Sequence, residues 1–424
     1  MQTKSINFRL VLVCIAAAAT GLPIAIVSIA KLLLLLGASG ILLISSRLAT
    51  PLALNGRLHR TRFLILVAML AFALSIFWTA APLLEALGSL GKYSKLLFIP
   101  IVVAFIQSRR EALFALSTFA AVQLFVVISS WMLFFHIPVP WATSPTAVLY
   151  NSVFSSYLDE GIMTAVFAAI CWHLRKLVPG RFGSLIAMVI TLLALLNVFF
   201  VLRGRTGHVV ALALISLAIV WELPHRYRKV IALIPVIVLA VVVGLSPKVQ
   251  NRIIDVKNEV QEFFDGKGAS VASGTSSGIR LHFWHRAIQS IADNPVLGAG
   301  SGSWTVEFNR IEKLKSSSPE SIRNVGNPHQ EYLLWGVQLG VGGIILLLAI
   351  LVSIFKETLA MDELARRSAQ STLVALAIAC LFNATIYDAL IGDFFCITLG
   401  LLMALGLPVS KSAATPPVQP ERAT

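Results

Sequence analysis

The stretch "NPHQEYLLWGVQLGVGGIILLLAILVSIF" (residues 327–355) places polar side chains directly before a long apolar run. A helix of about 20 apolar residues crosses the roughly 30 Å hydrocarbon core of a bilayer, and residues 329–355 exceed that length. We therefore predict a transmembrane helix here. Asn327, His329 and Gln330 would lie at its first turn, at one surface of the membrane. Its late glycines would allow close packing against other helices; they are Gly336, Gly340, Gly342 and Gly343.

Apolar runs of similar length recur along the whole chain. Of the 424 residues, 57% are hydrophobic and 13% are charged, and the mean hydropathy is +0.84. These values exclude an ordinary soluble domain. We predict an all-α polytopic membrane protein with about twelve transmembrane helices. The predicted spans are residues 8–21, 23–45, 62–79, 92–107, 111–135, 160–174, 183–202, 206–222, 229–246, 329–355, 369–387 and 390–408.

Lys and Arg are unequally divided between the two sets of connections. With both chain ends inside, the inner segments hold 19 of them, whereas the short outer connections hold only Lys92, Lys95, Arg203 and Arg205. Since cytoplasmic connections are rich in Lys and Arg, this pattern predicts that both termini are cytoplasmic. We expect the first span to be retained and not cleaved as a secretory signal, because a second span follows at once. The net charge of +14 therefore indicates membrane orientation and not nucleic-acid binding.

One connection is much longer than the others and divides the chain into four regions. We predict transmembrane helices 1–9 in residues 1–245, a large outer loop in 246–328, helices 10–12 in 329–408, and a disordered cytoplasmic tail in 409–424. The loop contains two amphipathic helical patterns, at 249–263 and at 279–293. A loop of this length is usually functional. The predicted helices would lie on the membrane surface or cover a cavity.

Cysteine and glycine patterns limit the cofactors that the chain is expected to bind. Cys14, Cys171, Cys380 and Cys396 all fall in apolar spans, and neither a CxxC nor an HExxH motif occurs. We therefore expect no metal and no cofactor. The "GAGSGS" stretch lacks the spacing and flanking strand of a nucleotide-binding loop. We expect instead a turn with exposed backbone amides, which can bind an anion.

Several basic and aromatic residues are candidates for binding a charged ligand. Arg203 and Arg205 lie on a tight outer turn, where two guanidinium groups can hold a phosphate or diphosphate by bidentate hydrogen bonds. The alternative is that their side chains extend to the membrane interface for solvation alone. Arg280 and Trp284 stand four residues apart, on one face of the second loop helix. That face either offers a cation and an aromatic surface to a ligand, or its aromatic side chains contact the membrane while its charged side chains face water.

His329 is the candidate for acid–base chemistry. A neutral imidazole with a pKa near 6.5 can accept a proton at neutral pH, and His329 stands at the predicted start of a helix, facing the outer water layer. A single histidine at a helix start is also common as an ordinary interfacial residue. The residues alone leave both interpretations open.

Three motifs together resemble the O-antigen ligase and polymerase superfamily of bacterial envelope glycosyltransferases. They are "RLHFW" (280–284), "NPVLGAGSGSW" (294–304) and "NPHQEYLLWGVQLGVGG" (327–343). In order and spacing they are similar to the family pattern of R, W, P-x-x-G-x-G, then H-N-x-x-L and a late G-x-x-G. Gln330 stands here where the family commonly has Asn.

The resemblance implies a C-type glycosyltransferase-like fold and a reaction at the periplasmic face of the bacterial inner membrane. The donor would be a glycan on undecaprenyl diphosphate, and the acceptor of the best-fitting member is the lipid A core oligosaccharide, as in lipopolysaccharide biosynthesis. Transfer would be inverting and metal-independent. His329 would act on the acceptor hydroxyl, while Arg203, Arg205 and Arg280 would bind the diphosphate. Supporting roles are expected for His208, Trp284, Asn327 and Gln330.

Three alternatives remain open. An O-antigen polymerase would use the same donor with a second lipid-linked glycan as acceptor. A protein O-oligosaccharyltransferase is less expected, because such relatives usually carry a longer C-terminal part. From another class, a polytopic transporter or flippase would place charges near the middle of the membrane and show inverted repeats; Lys31 is a candidate for such a charge.

Overall fold

The computed structural model describes residues 7–48, 58–142, 144–224, 276–315 and 325–407. Within these ranges the chain is helical and forms no β-strand. Ten helices precede residue 225: α1 (Phe8–Ala19), α2 (Ile24–Leu48), α3 (His59–Leu74), α4 (Leu83–Tyr93), α5 (Phe98–Phe105), α6 (Arg109–Phe134), α7 (Pro145–Leu149), α8 (Tyr157–Leu174), α9 (Gly183–Leu196) and α10 (Arg205–Glu222).

Five helices follow residue 275. They are α11 (Ser276–Asp293), α12 (Trp304–Lys315), α13 (Glu331–Thr358), α14 (Glu363–Phe382) and α15 (Ala389–Gly406). α11 confirms the predicted second loop helix, whereas α12 had no clear signal in the sequence. The predicted loop helix at 249–263 and the tail at 409–424 lie outside the described residues.

Eight helical segments of the described residues are long and apolar enough to cross a membrane. They are Ile24–Ile41, His59–Trp78, Leu83–Phe105, Arg109–Phe134, Gly183–Val201, Arg205–Glu222, Glu331–Thr358 and Ala389–Gly406. Each overlaps a predicted span, which confirms an all-helical polytopic membrane protein. The third begins nine residues before its predicted start at residue 92, because α4 continues through a short 3-10 turn into α5.

The remaining predicted spans differ from these eight. α1, α8 and α14 coincide with three of them, but α1 has only 12 residues, and α8 and α14 carry charged residues in their first turns. The predicted span at 229–246 lies outside the described residues. The described part of the chain therefore supports the polytopic architecture without fixing the number twelve.

α8 and α15 form the centre of the helix bundle. Both are buried over most of their circumference; α8 packs on α9, α10 and α14, and α15 packs on α5, α6 and α14. At their starts, Gly161 of α8 and Gly207 of α10 lie in backbone contact, because a Cβ on Gly207 would meet Gly161 at 2.9 Å. α8 and α10 therefore begin side by side at the same end of the bundle.

Ion pairs and hydrogen bonds identify the opposite end of the bundle. There the starts of α3, α6 and α14 meet the ends of α8, α10 and α13. The contacts are Arg109–Asp362 at 2.7 Å, Arg175–Glu222 at 3.0 Å and Glu357 Oε1 accepting from the amides of Arg60 and Thr61 at 3.1 and 3.2 Å. These helix ends flank the connections that the sequence assigns to the cytoplasm, so the basic connections gather at one end of the bundle.

The loop after α11 docks on a break in α13. Gly340 interrupts α13 with φ 68° and ψ −163°, which is backbone that a residue with a Cβ adopts at a steric cost. The freed carbonyl oxygens of Val337 and Gln338 accept from the amides of Ala299 and Gly300 at 2.8 and 3.1 Å. The expected turn with exposed amides is therefore wrong for this stretch, because these amides are bonded to α13.

Candidate active site

His329 lies just before α13, at the end of the bundle where α8 and α10 begin. Its backbone has φ 51°, a left-handed conformation that is uncommon for a residue other than glycine. The His329 amide donates to Asn327 Oδ1 at 2.8 Å, which holds that conformation. The imidazole stacks on Phe283 of α11 with ring centroids 6.2 Å apart and planes 23° apart. The histidine thus connects α11 to the start of α13.

A closed set of hydrogen bonds surrounds His329. Its Nδ1 lies 3.2 Å from Asn383 Oδ1, and Asn327 Nδ2 donates to Asp388 Oδ1 at 3.1 Å. The side chain of Asn383 also hydrogen-bonds to Asp388. These contacts form a closed ring of four residues, which we call the histidine ring: His329, Asn383, Asp388 and Asn327. The structure places the predicted pair His329 and Asn327 together in it.

Sequence reasoning missed Asn383 and Asp388. The predicted span at 369–387 runs through Asn383, whereas α14 ends at Phe382 and α15 begins at Ala389. Residues 383–388 form a connection, and its two ends supply the side chains that face His329. A signal was present, since Asn and Asp are favoured where helices end and begin.

The connection 383–388 is fixed by buried charged side chains. Glu331 is fully buried, and its Oε2 accepts from the amides of Ile386 and Tyr387 at 2.8 and 3.1 Å. Lys95, also buried, donates from Nζ to the carbonyl oxygen of Asp388 at 2.6 Å. These three bonds hold the backbone that presents Asp388 to Asn327.

Lys31, the predicted mid-membrane charge, is partly buried and pairs with a buried carboxylate of α15. Its Nζ lies 2.7 Å from Asp393 Oδ2, in the second turn of α15. This pair lies close to the connection 383–388. The intramembrane charges of this region therefore support the start of α15.

Two carboxyl groups meet beside the histidine ring. Burial raises the pKa of Asp388, while the neighbouring His329, Lys95 and Lys92 side chains oppose the increase. Asp159 lies in the first turn of α8, before the predicted span at 160–174. Burial raises the pKa of Asp159 to about 6; a hydrogen bond from Ser156 opposes this, and the negative charge of Asp388 adds to it. Above about pH 6 the ionised Asp159 carboxyl therefore adds a negative charge beside the histidine ring.

The three predicted arginines lie at the same end of the bundle. Arg280, half-buried in α11, has a pKa lowered by burial and then by the neighbouring charge of Arg205, while Tyr157 opposes the decrease. Arg205 is the first residue of α10 and is exposed. The Arg203 guanidinium lies 5.9 Å from the ring centroid of Tyr150. The structure thus brings Arg205 next to Arg280, beside α8.

Two tyrosines connect these arginines to α8. Tyr150 and Tyr157 have ring centroids 4.5 Å apart, so that Arg203 contacts one of them and Arg280 interacts with the other. Tyr157 stands two residues before Asp159. One helix start therefore faces the arginines through Tyr157 and the histidine ring through Asp159.

The other predicted supporting residues have different surroundings. Gln330 caps α13, because its Oε1 accepts from the Leu333 amide at 2.5 Å. His208 stacks on Phe199 with centroids 5.7 Å apart. The indole nitrogen of Trp284 is buried and has no hydrogen-bond partner among the described residues. Within those residues, no group of three or more His, Cys, Asp or Glu side chains is placed to hold a metal ion.

Residues 190–348 match the family model described as "O-Antigen ligase". This match supports assignment of the chain to the O-antigen ligase family. The matched region runs from α9 to α13 and includes Arg203, Arg205, Arg280 and His329. Asn383 and Asp388 lie beyond it. The resemblance inferred from the sequence motifs is confirmed at the level of the family.

A protein of Haemophilus influenzae (strain Rd) described as "Uncharacterized protein" is also similar. The two chains are 29% identical over 132 residues, which is 30% of this chain and 32% of the relative. The alignment thus spans about a third of that relative's length.

Proposed function

We propose that this O-antigen ligase family protein transfers a glycan from undecaprenyl diphosphate to a sugar hydroxyl of lipid A core oligosaccharide. One observation carries the proposal. The histidine ring and the arginines lie at the same end of the bundle, and the start of α8 lies between them. A base beside cations suits a reaction in which a hydroxyl is deprotonated while a diphosphate departs. No metal or cofactor takes part.

In this mechanism His329 accepts the proton of the acceptor hydroxyl. Because an amide oxygen can only accept, the contact with Asn383 Oδ1 requires the imidazole proton on Nδ1. The lone pair then lies on Nε2, which takes the hydroxyl proton. The acceptor oxygen forms a bond to the anomeric carbon as the carbon–oxygen bond to the diphosphate breaks, inverting that centre. The negative charge of Asp388 stabilises the imidazolium through Asn383 and Asn327.

The arginines act on the departing diphosphate. Burial, and then the neighbouring charge of Arg205, lowers the pKa of Arg280; an anion between the two guanidinium groups would offset their repulsion. The guanidinium fork fits phosphate oxygens with two parallel hydrogen bonds. Arg203, exposed beside Tyr150, is available for the second phosphate. The charge that develops on the leaving group is thereby neutralised.

We further propose that the site faces the periplasm from the inner membrane. The basic helix connections lie at the other end of the bundle, and such connections are typical of the cytoplasmic side. Both termini would then be cytoplasmic. Lipid-linked donor and lipid-linked acceptor would reach the site from the outer leaflet.

The deciding experiment varies the acceptor. Purified protein in lipid nanodiscs is incubated with undecaprenyl-diphosphate glycan and, separately, with core lipid, a second lipid-linked glycan or an acceptor protein. Transfer to core lipid supports the ligase. Product only with the second glycan or only with the protein would instead identify a polymerase or a protein glycosyltransferase, and movement of the lipid across the bilayer without transfer would identify a transporter.

Substitution of Arg280 tests the diphosphate clamp. Lysine keeps the charge but loses the bidentate geometry, so Arg280→Lys should lower kcat by on the order of 10² to 10³, the cost of losing one oxyanion donor. Arg110→Lys, on an exposed arginine at the other end of the bundle, is the matched control. Full activity of Arg280→Lys would argue against the clamp, and unchanged transfer by His329→Ala would remove His329 from catalysis.

A further inference from the structure

Lys92 is a fourth outer basic residue at the site, and the mechanism does not use it. It lies in the last turn of α4 and is exposed. Its Nζ stands 3.8 Å from the ring centroid of Tyr387. Among the described residues no carboxylate forms an ion pair with it. A free ammonium beside an aromatic ring is available to a ligand.

Lys92 is separated from the arginines by the carboxyl groups. Tyr387 precedes Asp388, whose pKa is raised by burial and is lowered in part by the neighbouring charge of Lys92. Asp388 interacts with Asp159, and Asp159 follows Tyr157, which interacts with Arg280. The contacts therefore run from Lys92 through two carboxyl groups to the arginines. One anion cannot bridge both cationic groups without meeting those carboxylates.

We propose that Lys92 and Tyr387 form the acceptor subsite and select an acidic sugar, one that carries a phosphate or a carboxylate. The inference rests on the proposed function, since it assigns the arginines to the donor. Lys92 lies over one face of the half-buried Tyr387 ring, so a sugar ring would contact the remaining exposed part of that ring while the ammonium binds its anionic group. His329 stacks on Phe283 of α11, the helix that carries Arg280. It also interacts with Asp388, which follows Tyr387. It would therefore meet both the acceptor hydroxyl and the donor carbon.

The test compares three core glycolipids that differ at one position, which bears a phosphate, a carboxylate or a hydroxyl. The wild-type protein should show a KM about tenfold lower for an acidic acceptor than for the hydroxyl form, the size of effect expected of one charge-assisted hydrogen bond. Lys92→Ala should raise the acidic acceptor's KM about tenfold and abolish this preference. The KM of the donor should not change.

Lys313→Ala is the matched control, because Lys313 is an exposed lysine of α12 and should leave every constant unchanged. A higher KM for the donor in Lys92→Ala would assign Lys92 to the diphosphate and overturn the inference. Equal KM values for all three acceptors with the wild type would also overturn it.

Equilibrium binding of the same glycolipids without donor separates this inference from the proposed reaction. Binding that requires both the acidic group and Lys92 supports the subsite even where no transfer is observed. Conversely, His329→Ala could lose transfer while acceptor binding is the same with and without the Lys92 side chain. That pair of results would support the reaction and refute the subsite.

Discussion

His329 combines a strained backbone with a ring oriented by two different partners. The left-handed backbone is held by Asn327, and the ring is oriented by Asn383 and stacked on Phe283. Residues in sparsely populated backbone conformations persist where the surroundings over-determine them. That His329 is fixed from three segments of the chain indicates a side chain whose position matters for function.

Asn383→Ala tests the orientation of the imidazole. Alanine removes the oxygen that accepts from Nδ1, so the proton can move to the nitrogen that should face the acceptor. A positioned general base contributes about 10²–10⁴-fold to a rate, and we expect kcat to fall by on the order of tenfold or more, with the donor KM unchanged. Steady-state kinetics measure this. A change in the donor KM alone would indicate that Asn383 serves donor binding.

The raised pKa of Asp159 predicts the pH dependence of transfer. Its carboxyl ionises near pH 6, so its negative charge is present above that pH and is lost below it. Since negative charge stabilises the imidazolium that forms on His329, kcat/KM should rise as the pH passes through about 6. Asp159→Asn should lack this step and have a lower rate at pH 8. The same step in the variant would exclude Asp159 as its source.

The sequence was sufficient for some residues of the site and insufficient for others. Arg203 and Arg205 became candidates because basic residues are rare in the short connections that the charge count assigned to the outer side. Asn383 and Asp388 were missed because hydropathy alone does not show where a helix ends inside an apolar stretch. Their role depends on the position of Asn327, which is far away in sequence, and such contacts become visible only in three dimensions.

At the scale of elements, α13 is a broken helix whose break is filled by the loop that follows α11. Backbone groups freed within a membrane must find other partners, and the amides of Ala299 and Gly300 supply them. From the sequence, the four late glycines of this helix all predicted close packing. The structure distinguishes them: a Cβ on Gly340 would meet Pro295 O at 2.5 Å, whereas one on Gly342 meets nothing within 4 Å.

This difference predicts opposite outcomes for two alanine substitutions. Gly340→Ala should destabilise the protein by at least about 1–3 kcal/mol through backbone strain, and by more where Cβ displaces the loop. It should also lower activity, because the same loop follows α11 with Arg280. Gly342→Ala should be neutral or stabilise the helix by up to about 1 kcal/mol. Thermal unfolding in detergent measures both, and equal stability of the two variants would contradict the docked loop.

At the scale of the whole molecule, the two ends of the bundle are chemically distinct. One end has ion pairs between helix termini, such as Arg109–Asp362 and Arg175–Glu222, beside the basic connections. The other end carries the histidine ring, the arginines and Lys92. Counting Lys and Arg in the connections predicted this division, because successive connections of a multi-span chain alternate between the two ends of the bundle. The four basic residues that the count assigned to the opposite set of connections all lie at the end with the histidine ring, namely Lys92, Lys95, Arg203 and Arg205.

Membrane sidedness can be tested with one exposed residue from each end. Lys313→Cys lies on α12 near the site, and Arg181→Cys lies between α8 and α9 at the basic end; both positions are exposed. In intact cells with a permeabilised outer membrane, a membrane-impermeant maleimide should label Lys313→Cys, and label Arg181→Cys only after the inner membrane is opened. The native cysteines are half-buried or buried in helices, so the wild type provides the background. The reverse labelling pattern would place the histidine ring in the cytoplasm, where a periplasmic ligation reaction could not use it.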